Sequence, residues 1–295
     1  MMPDARSGHL AMLSFSVLVA GSFALGVLAA NDITPLALNA VRFWIASAII
    51  GVLVVLRGGM PRVALNAPWR YLVLASALTF YFVMMFEGLK TAPSVSAAAV
   101  FTLTPLMAAG FGWLLLGQRM HRRIKVALAI GAIGALWVIF RADFAAFMRF
   151  EVGRGEMIYF VGCVSHALYT PLVRRLNRGE SALVFTFGTL VTGAVILTLI
   201  GWSDLRATDW AHLPNIVWIT ILYTAVFASA ATFTLLQFSA MRLPAAKVMA
   251  YTYLVPSWVI CWELALGRPA PPINVLGGVA LTSLALWLLL KEEPR

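Results

Sequence analysis

One feature limits this chain more than any other: predominantly apolar runs of about twenty residues recur along nearly its whole length. In hydrocarbon a backbone must satisfy its own N–H and C=O groups, and a run of that length does so as a helix. Bounded by charge, Gly or Pro, ten runs can be placed, at 10–30, 35–56, 69–89, 95–116, 124–140, 156–175, 181–201, 214–238, 245–266 and 273–290. The expected fold is therefore all-α, a polytopic membrane protein with ten transmembrane helices. The longest connections, around 141–155 and 202–213, are too short to hold a soluble domain. The first run lacks a cleavage context for a signal peptide and is expected to remain as a span.

Charge sets the orientation. Only 12% of residues are charged, about half of what a water-facing surface needs, while 61% are hydrophobic. The net charge of +10 could suggest nucleic acid, but the basic residues sit in short clusters between apolar runs, with no soluble region to present them. With the N-terminus inside, fifteen of the 22 Lys and Arg fall on the cytoplasmic side and six on the other: Lys90, Arg141, Arg149, Arg154, Arg206 and Arg268. Arg42 lies within a span. This bias predicts both termini in the cytoplasm and residence in the inner (plasma) membrane. Cys163 and Cys261 fall inside apolar runs and read as small buried hydrophobes, not as a disulfide or a metal site.

The two halves resemble each other. Pro93 precedes a run that contains Pro105 and ends at Leu116-Gly117-Gln118; Pro244 precedes one that contains Pro256 and ends at Leu266-Gly267-Arg268. Twelve positions separate the prolines in each case, and a Gly-rich span follows, with Gly131 and Gly134 in one half and Gly277 and Gly278 in the other. This predicts two five-helix repeats, 1–145 and 146–295. Five spans per copy is an odd number, so the second copy must insert upside down. Small residues at Ala127, Gly131 and Ala135 suit close helix packing, and Gly277 and Gly278 are expected to join the halves within a monomer.

These motifs resemble the EamA/drug–metabolite transporter superfamily, whose halves each close with a Pro-containing span, a Leu-Gly-acidic stop and a Gly-rich helix. Arg42-Phe43 matches the Arg-Phe of that family's second span. Within the family the chain looks most like the YddG-type exporters of aromatic amino acids. It departs from the pattern at Gln118 and Arg268, where the acid is missing; Glu263, one turn before Arg268, could replace it. The resemblance implies a secondary transporter that exports amino acids, aromatic and other neutral ones, by alternating access. A drug cation, nucleotide-sugar or sugar phosphate is the alternative cargo.

The residues themselves suggest where transport could occur. Pro105 and Pro256 remove backbone hydrogen bonds mid-span and are expected to form hinges or a cavity, the alternative being a packing kink. Lys247 and Tyr251, one turn apart on the ninth span, could meet a substrate carboxylate, although Lys247 can also snorkel to the interface. The small-residue stretch from Ser94 to Val100, followed by Thr102, either permits close packing or leaves ligand room. His166 could carry protons because imidazole titrates near neutral pH, or could be a lone structural histidine, which is favoured. Arg42 needs a partner, and Asp32 is conceivable. Tyr81 and Tyr223, with Tyr251, are cavity-lining candidates, while most Trp residues read as interface anchors. No catalytic set, metal cluster, cofactor motif or nucleotide-binding loop is present in the sequence, so an intramembrane enzyme is disfavoured. A non-transporting scaffold would not need an inverted repeat. The expected partners are a small-molecule substrate and the lipid bilayer.

Overall fold

The computed structural model describes residues 3–118, 121–140, 143–148 and 151–290. Arg119, Arg141, Arg149, Lys291 and Arg295, used above to set the orientation, lie outside the described residues. Those described are helical or connecting, without strands. We label the long helical segments α1 (Pro3–Ala29), α2 (Pro35–Leu56), α3 (Trp69–Leu89), α4 (Ser94–Leu116), α5 (Arg122–Ile139), α6 (Arg154–Leu176), α7 (Ala182–Ile200), α8 (Asn215–Ala240), α9 (Ala245–Ala265) and α10 (Val275–Leu290). Short helices at Arg62–Leu65, Phe144–Met148 and Trp202–Ala207 lie in the connections.

Seven of these segments (α1 to α4 and α7 to α9) are long and apolar enough to cross a membrane. α10 is apolar but shorter, and α5 and α6 carry charge at their ends: Arg122, Arg123 and Lys125 in one, Arg154, Glu156, Arg174 and Arg175 in the other. Large apolar side chains point outward around the bundle, with Leu199 74% and Leu114 69% exposed. Lipid, not water, suits such a surface.

Prolines and glycines punctuate the helices. Pro68, Pro93, Pro214 and Pro244 stand at the residue before a helix, and Pro35 at its first position, where a missing N–H costs nothing. Thr34 and Ser181 cap α2 and α7 through their hydroxyls. The two Leu-Gly stops end their helices in the left-handed conformation, with φ +64° at Gly117 and +75° at Gly267.

α4 and α9 are broken near their middles. α4 is two pieces, Ser94–Phe101 and Thr104–Leu116; α9 passes through a 3-10 stretch, Ala250–Leu254, before Val255–Ala265. Each break sits just before Pro105 or Pro256, which cannot donate to the preceding turn and disfavour helical backbone before them. The two broken helices cross so that the first piece of each packs on the second piece of the other. Elsewhere α3 packs on α6 and α1 on α8, while α2 pairs with α7 and α5 with α10. Glycines bring two of these pairs together: a Cβ at Gly134 would stand 2.7 Å from the Gly278 carbonyl, and one at Gly88 2.6 Å from the Gly155 carbonyl.

Candidate functional site

Between α3, α4, α6 and α8 the interior is aromatic and polar together. On α6, Tyr159, His166, Tyr169 and Thr170 recur at helical spacing and so share one inward face. α3 presents Tyr81 and Phe82, α4 presents Phe101 at its break, and α8 presents Phe233 and, one turn on, Gln237. The Tyr81 and His166 rings lie 4.4 Å apart, and Phe101 meets His166 edge-on at 5.3 Å. The Tyr81 and Tyr159 hydroxyls are 2.9 Å apart, and the Gln237 amide donates to the Tyr169 hydroxyl at 2.9 Å.

Three polar atoms in this cluster have no partner: His166 Nδ1, Thr170 Oγ1 and Gln237 Oε1. Their residues are 3%, 1% and 0% exposed. A buried polar atom without a hydrogen bond costs about 1–3 kcal/mol, so three in one place mark either a strained core or a binding site.

Arg42 borders the cluster from α2. It is fully buried and its guanidinium lies 3.9 Å from the centre of the Phe82 ring. Nε donates to Ser229 Oγ at 2.7 Å, Nη2 to the Ala228 carbonyl at 2.7 Å and Nη1 to Asn39 Oδ1 at 3.3 Å. Ser229 and Ala228 sit in a π-helical turn of α8, Val226–Ala231, and such widened turns often mark functional positions. Asp32, expected as a partner, is not among these contacts.

The two breaks touch. Thr104 and Thr252 hydroxyls are 3.4 Å apart, one from each broken helix. At the ends of these helices each start is met by a side chain from the end of the other. Gln118, just past the stop of α4, accepts from the Ala245 N–H that starts α9 at 3.1 Å. Near the stop of α9, Glu263 accepts from the Ser94 hydroxyl that starts α4 at 2.6 Å, and also pairs with Arg268 at 3.3 Å. Gln118 thus takes up a backbone N–H of α9, whereas Glu263 meets α4 through a side-chain hydroxyl. Ser96, two residues on from Ser94 and towards the other side of the helix, donates to buried Glu156 at 2.8 Å.

A family model for EamA-like transporters matches residues 6–140 and 153–291. The chain belongs to that family. It is a multi-pass membrane protein, and its relatives point to transport rather than catalysis. An "Uncharacterized transporter YyaM" of Bacillus subtilis (strain 168) is 27% identical over 92% of this chain and 90% of that protein. "Uncharacterized transporter YvbV" of the same organism is 25% identical over 82% and 79%. A solved structure, titled only as a crystal structure of a protein, superimposes with a TM-score of 0.74 over 97% of this chain and 96% of the other at 20% identity, which speaks to the fold alone.

In this EamA-like transporter the residues singled out from sequence fall into separate groups. Tyr81 and His166 come together in the aromatic cluster; Thr102 adjoins it in the α4 break, where its hydroxyl turns back to the Ala99 carbonyl. Lys247 and Tyr251 lie elsewhere, against α1: the Tyr251 hydroxyl is 3.1 Å from His9 Nδ1, and Lys247 acts electrostatically on that same histidine. Tyr251 belongs to the 3-10 stretch, which alters the simple i, i+4 register with Lys247. Tyr223 packs edge-on against Trp262 and donates to the Leu18 carbonyl, a packing role against Gly21 of α1. Pro105 and Pro256 are buried at the breaks. Cys163 is buried as expected, but Cys261 is exposed on the outer face of α9. Sequence reasoning passed over Gln237, although a lone Gln within an apolar run is itself a signal. Phe101, Tyr169 and Thr170 carried no signal distinguishable from packing.

Proposed function

We propose that this EamA-like protein is a secondary transporter that exports amino acids, aromatic and other neutral ones, across the inner membrane by alternating access around the α3–α4–α6–α8 cluster. One observation carries the reading: three unpartnered polar atoms, on His166, Thr170 and Gln237, set among aromatic rings beside the break in α4. Aromatic walls suit an apolar side chain, and unpaired polar atoms suit the amino or carboxyl group at its other end. The direction of transport, and the likeness to YddG-type exporters, come from the resemblance of sequence.

The reading takes α1 to α10 as ten spans in two inverted repeats, 1–145 and 146–295, with both termini in the cytoplasm and a monomer as the working unit. The two stretches of family match, the pairing of α2 with α7, α4 with α9 and α5 with α10, and the contacts that Gln118 and Glu263 make with the starts of α9 and α4 support the repeats. The breaks before Pro105 and Pro256 then act as hinges on which the two halves rock. Tyr81, His166 and Thr102 belong to the substrate site; Lys247, Tyr251 and Tyr223 stand on the α1–α8–α9 side, where they line or gate the path.

The test is uptake of labelled Phe, Trp, Met and Thr into proteoliposomes by wild type, Gln237→Leu and Tyr169→Phe. Saturable uptake of at least one amino acid is expected, reduced about tenfold or more in Gln237→Leu with an unchanged melting temperature. Folded wild-type protein that moves none of the four overturns the amino-acid cargo. Uptake that neither variant alters moves the site away from the cluster.

A further inference from the structure

Arg42 is the one charged residue among those described that lies more than four positions inside a long helix. The carboxylates Glu87, Glu156 and Glu263 all lie within three residues of a helix end, and none pairs with it. Its three acceptors are a hydroxyl, an amide and a backbone carbonyl, all neutral. They satisfy N–H groups but leave the unit charge uncancelled in a low-dielectric interior, where a charge acts well beyond contact distance.

That charge stands at one side of the proposed site. Arg42 covers Phe82; Phe82 stacks on Phe233 with ring centres 5.5 Å apart and meets Tyr81 at 4.6 Å. One turn beyond Phe233 on α8 comes Gln237, whose Oε1 is a hydrogen-bond acceptor without a donor. Tyr81 leads in turn to His166. The site thus has a cation at the α2 side and an unfilled acceptor at the α6–α8 side, with aromatic rings between.

We infer that the central site selects by charge: it takes a zwitterion, with the carboxylate drawn towards Arg42 and the ammonium donating to Gln237 Oε1, and it rejects an amine that lacks a carboxylate. This rests on the cluster being the transport site. Arg42 sets specificity through its field, while its own N–H groups hold the π-turn of α8. Gln237 distinguishes the zwitterion from a plain carboxylate.

Three compounds with one ring test it: phenylalanine, 3-phenylpropionate and phenethylamine, each titrated against purified full-length protein by the shift in melting temperature. Wild type is expected to bind phenylalanine most tightly, 3-phenylpropionate next, and phenethylamine at least about tenfold more weakly than 3-phenylpropionate. Arg42→Lys keeps the order; Arg42→Gln collapses the ratio between 3-phenylpropionate and phenethylamine to near one. Gln237→Leu weakens phenylalanine about tenfold and leaves 3-phenylpropionate unchanged. Phenethylamine binding wild type as well as 3-phenylpropionate overturns the charge selection, even if amino acids are transported and the reading of the site stands. So does an unchanged order in a folded Arg42→Gln protein. No shift with any of the three in folded wild type overturns the aromatic amino-acid reading itself, and the selection with it. Should Arg42→Gln not fold, the wild-type ratio and the Gln237→Leu result still decide.

Discussion

Arg70 and Glu180 form a buried pair at 2.6 Å, with side chains 1% and 0% exposed, joining the start of α3 to the connection between α6 and α7. Arg70 also donates to the carbonyls of Ala67, Asn66 and Leu176, so its charge is well hydrogen-bonded. Burial raises the Glu180 pKa, but the Arg70 hydrogen bond and the backbone N–H groups of Arg178 and Glu180 outweigh it and hold the carboxyl below its ordinary 4.5. A lowered folded value means that the stabilisation is fully present above the unfolded value and lost as pH falls through the folded one. Removing one partner of a buried pair costs about 3–5 kcal/mol. The low end is expected here because Glu180 borders a crevice of about 1000 Å³ lined by Val54, Arg57, Val184, Phe238 and Arg242. Glu180→Gln should therefore lower the melting temperature at neutral pH, and should flatten the loss of stability that wild type undergoes below about pH 4.5. A wild-type melting temperature indifferent to pH in that interval would remove the pair from the stability account. This pair was invisible in the sequence, since 110 positions separate its members. His166 was visible, because a histidine inside an apolar run is rare, whereas its neighbours Tyr159 and Tyr169 were hidden among many aromatics.

At the scale of elements, hydrophobic length made most helices legible. The runs expected at 35–56 and 69–89 coincide with α2 and α3, and that at 245–266 nearly with α9. The start of α1 was placed too late, at 10 instead of Pro3, because Arg6 and His9 broke the apolar run while leaving helical propensity intact. Pro105 and Pro256 announced interruptions: α4 is broken before the first, and α9 tightens into a 3-10 stretch before the second. The π-turn of α8 had no such announcement: Val226–Ala231 contains neither Gly nor Pro, and its role follows from Arg42 reaching it from another helix. The Gly-rich runs of α5 and α10 were read as packing surfaces, and Gly134 and Gly278 indeed bring backbone within van der Waals range of backbone. A side chain there meets a carbonyl that cannot move aside. Gly134→Leu or Gly278→Leu should cost about 3 kcal/mol, at the upper end of overpacking, read as a drop in melting temperature. The same change at Gly110, with nothing within 4 Å of its Cβ, should be tolerated. Equal effects at all three positions would refute close packing as the function of the pair.

For the whole molecule, the broken helices and their caps tie the chain's two ends of sequence into one object. Gln118 completes a helix that begins 127 residues later, and Ser94 hydrogen-bonds a glutamate 169 residues away. The start of α9 therefore relies on a side chain from beyond α4, and the start of α4 contacts a carboxylate from α9. Cut in the connection after Phe140, the two fragments should accumulate only when made together in one membrane, and should re-form a heterodimer with the melting behaviour of the intact chain. Either fragment folding stably alone would show that the exchange is dispensable. Paired contacts of this kind, one from each broken helix to the start of the other, are what two separate subunits would need in order to recognise each other. A covalent connection between two such parts guarantees one copy of each.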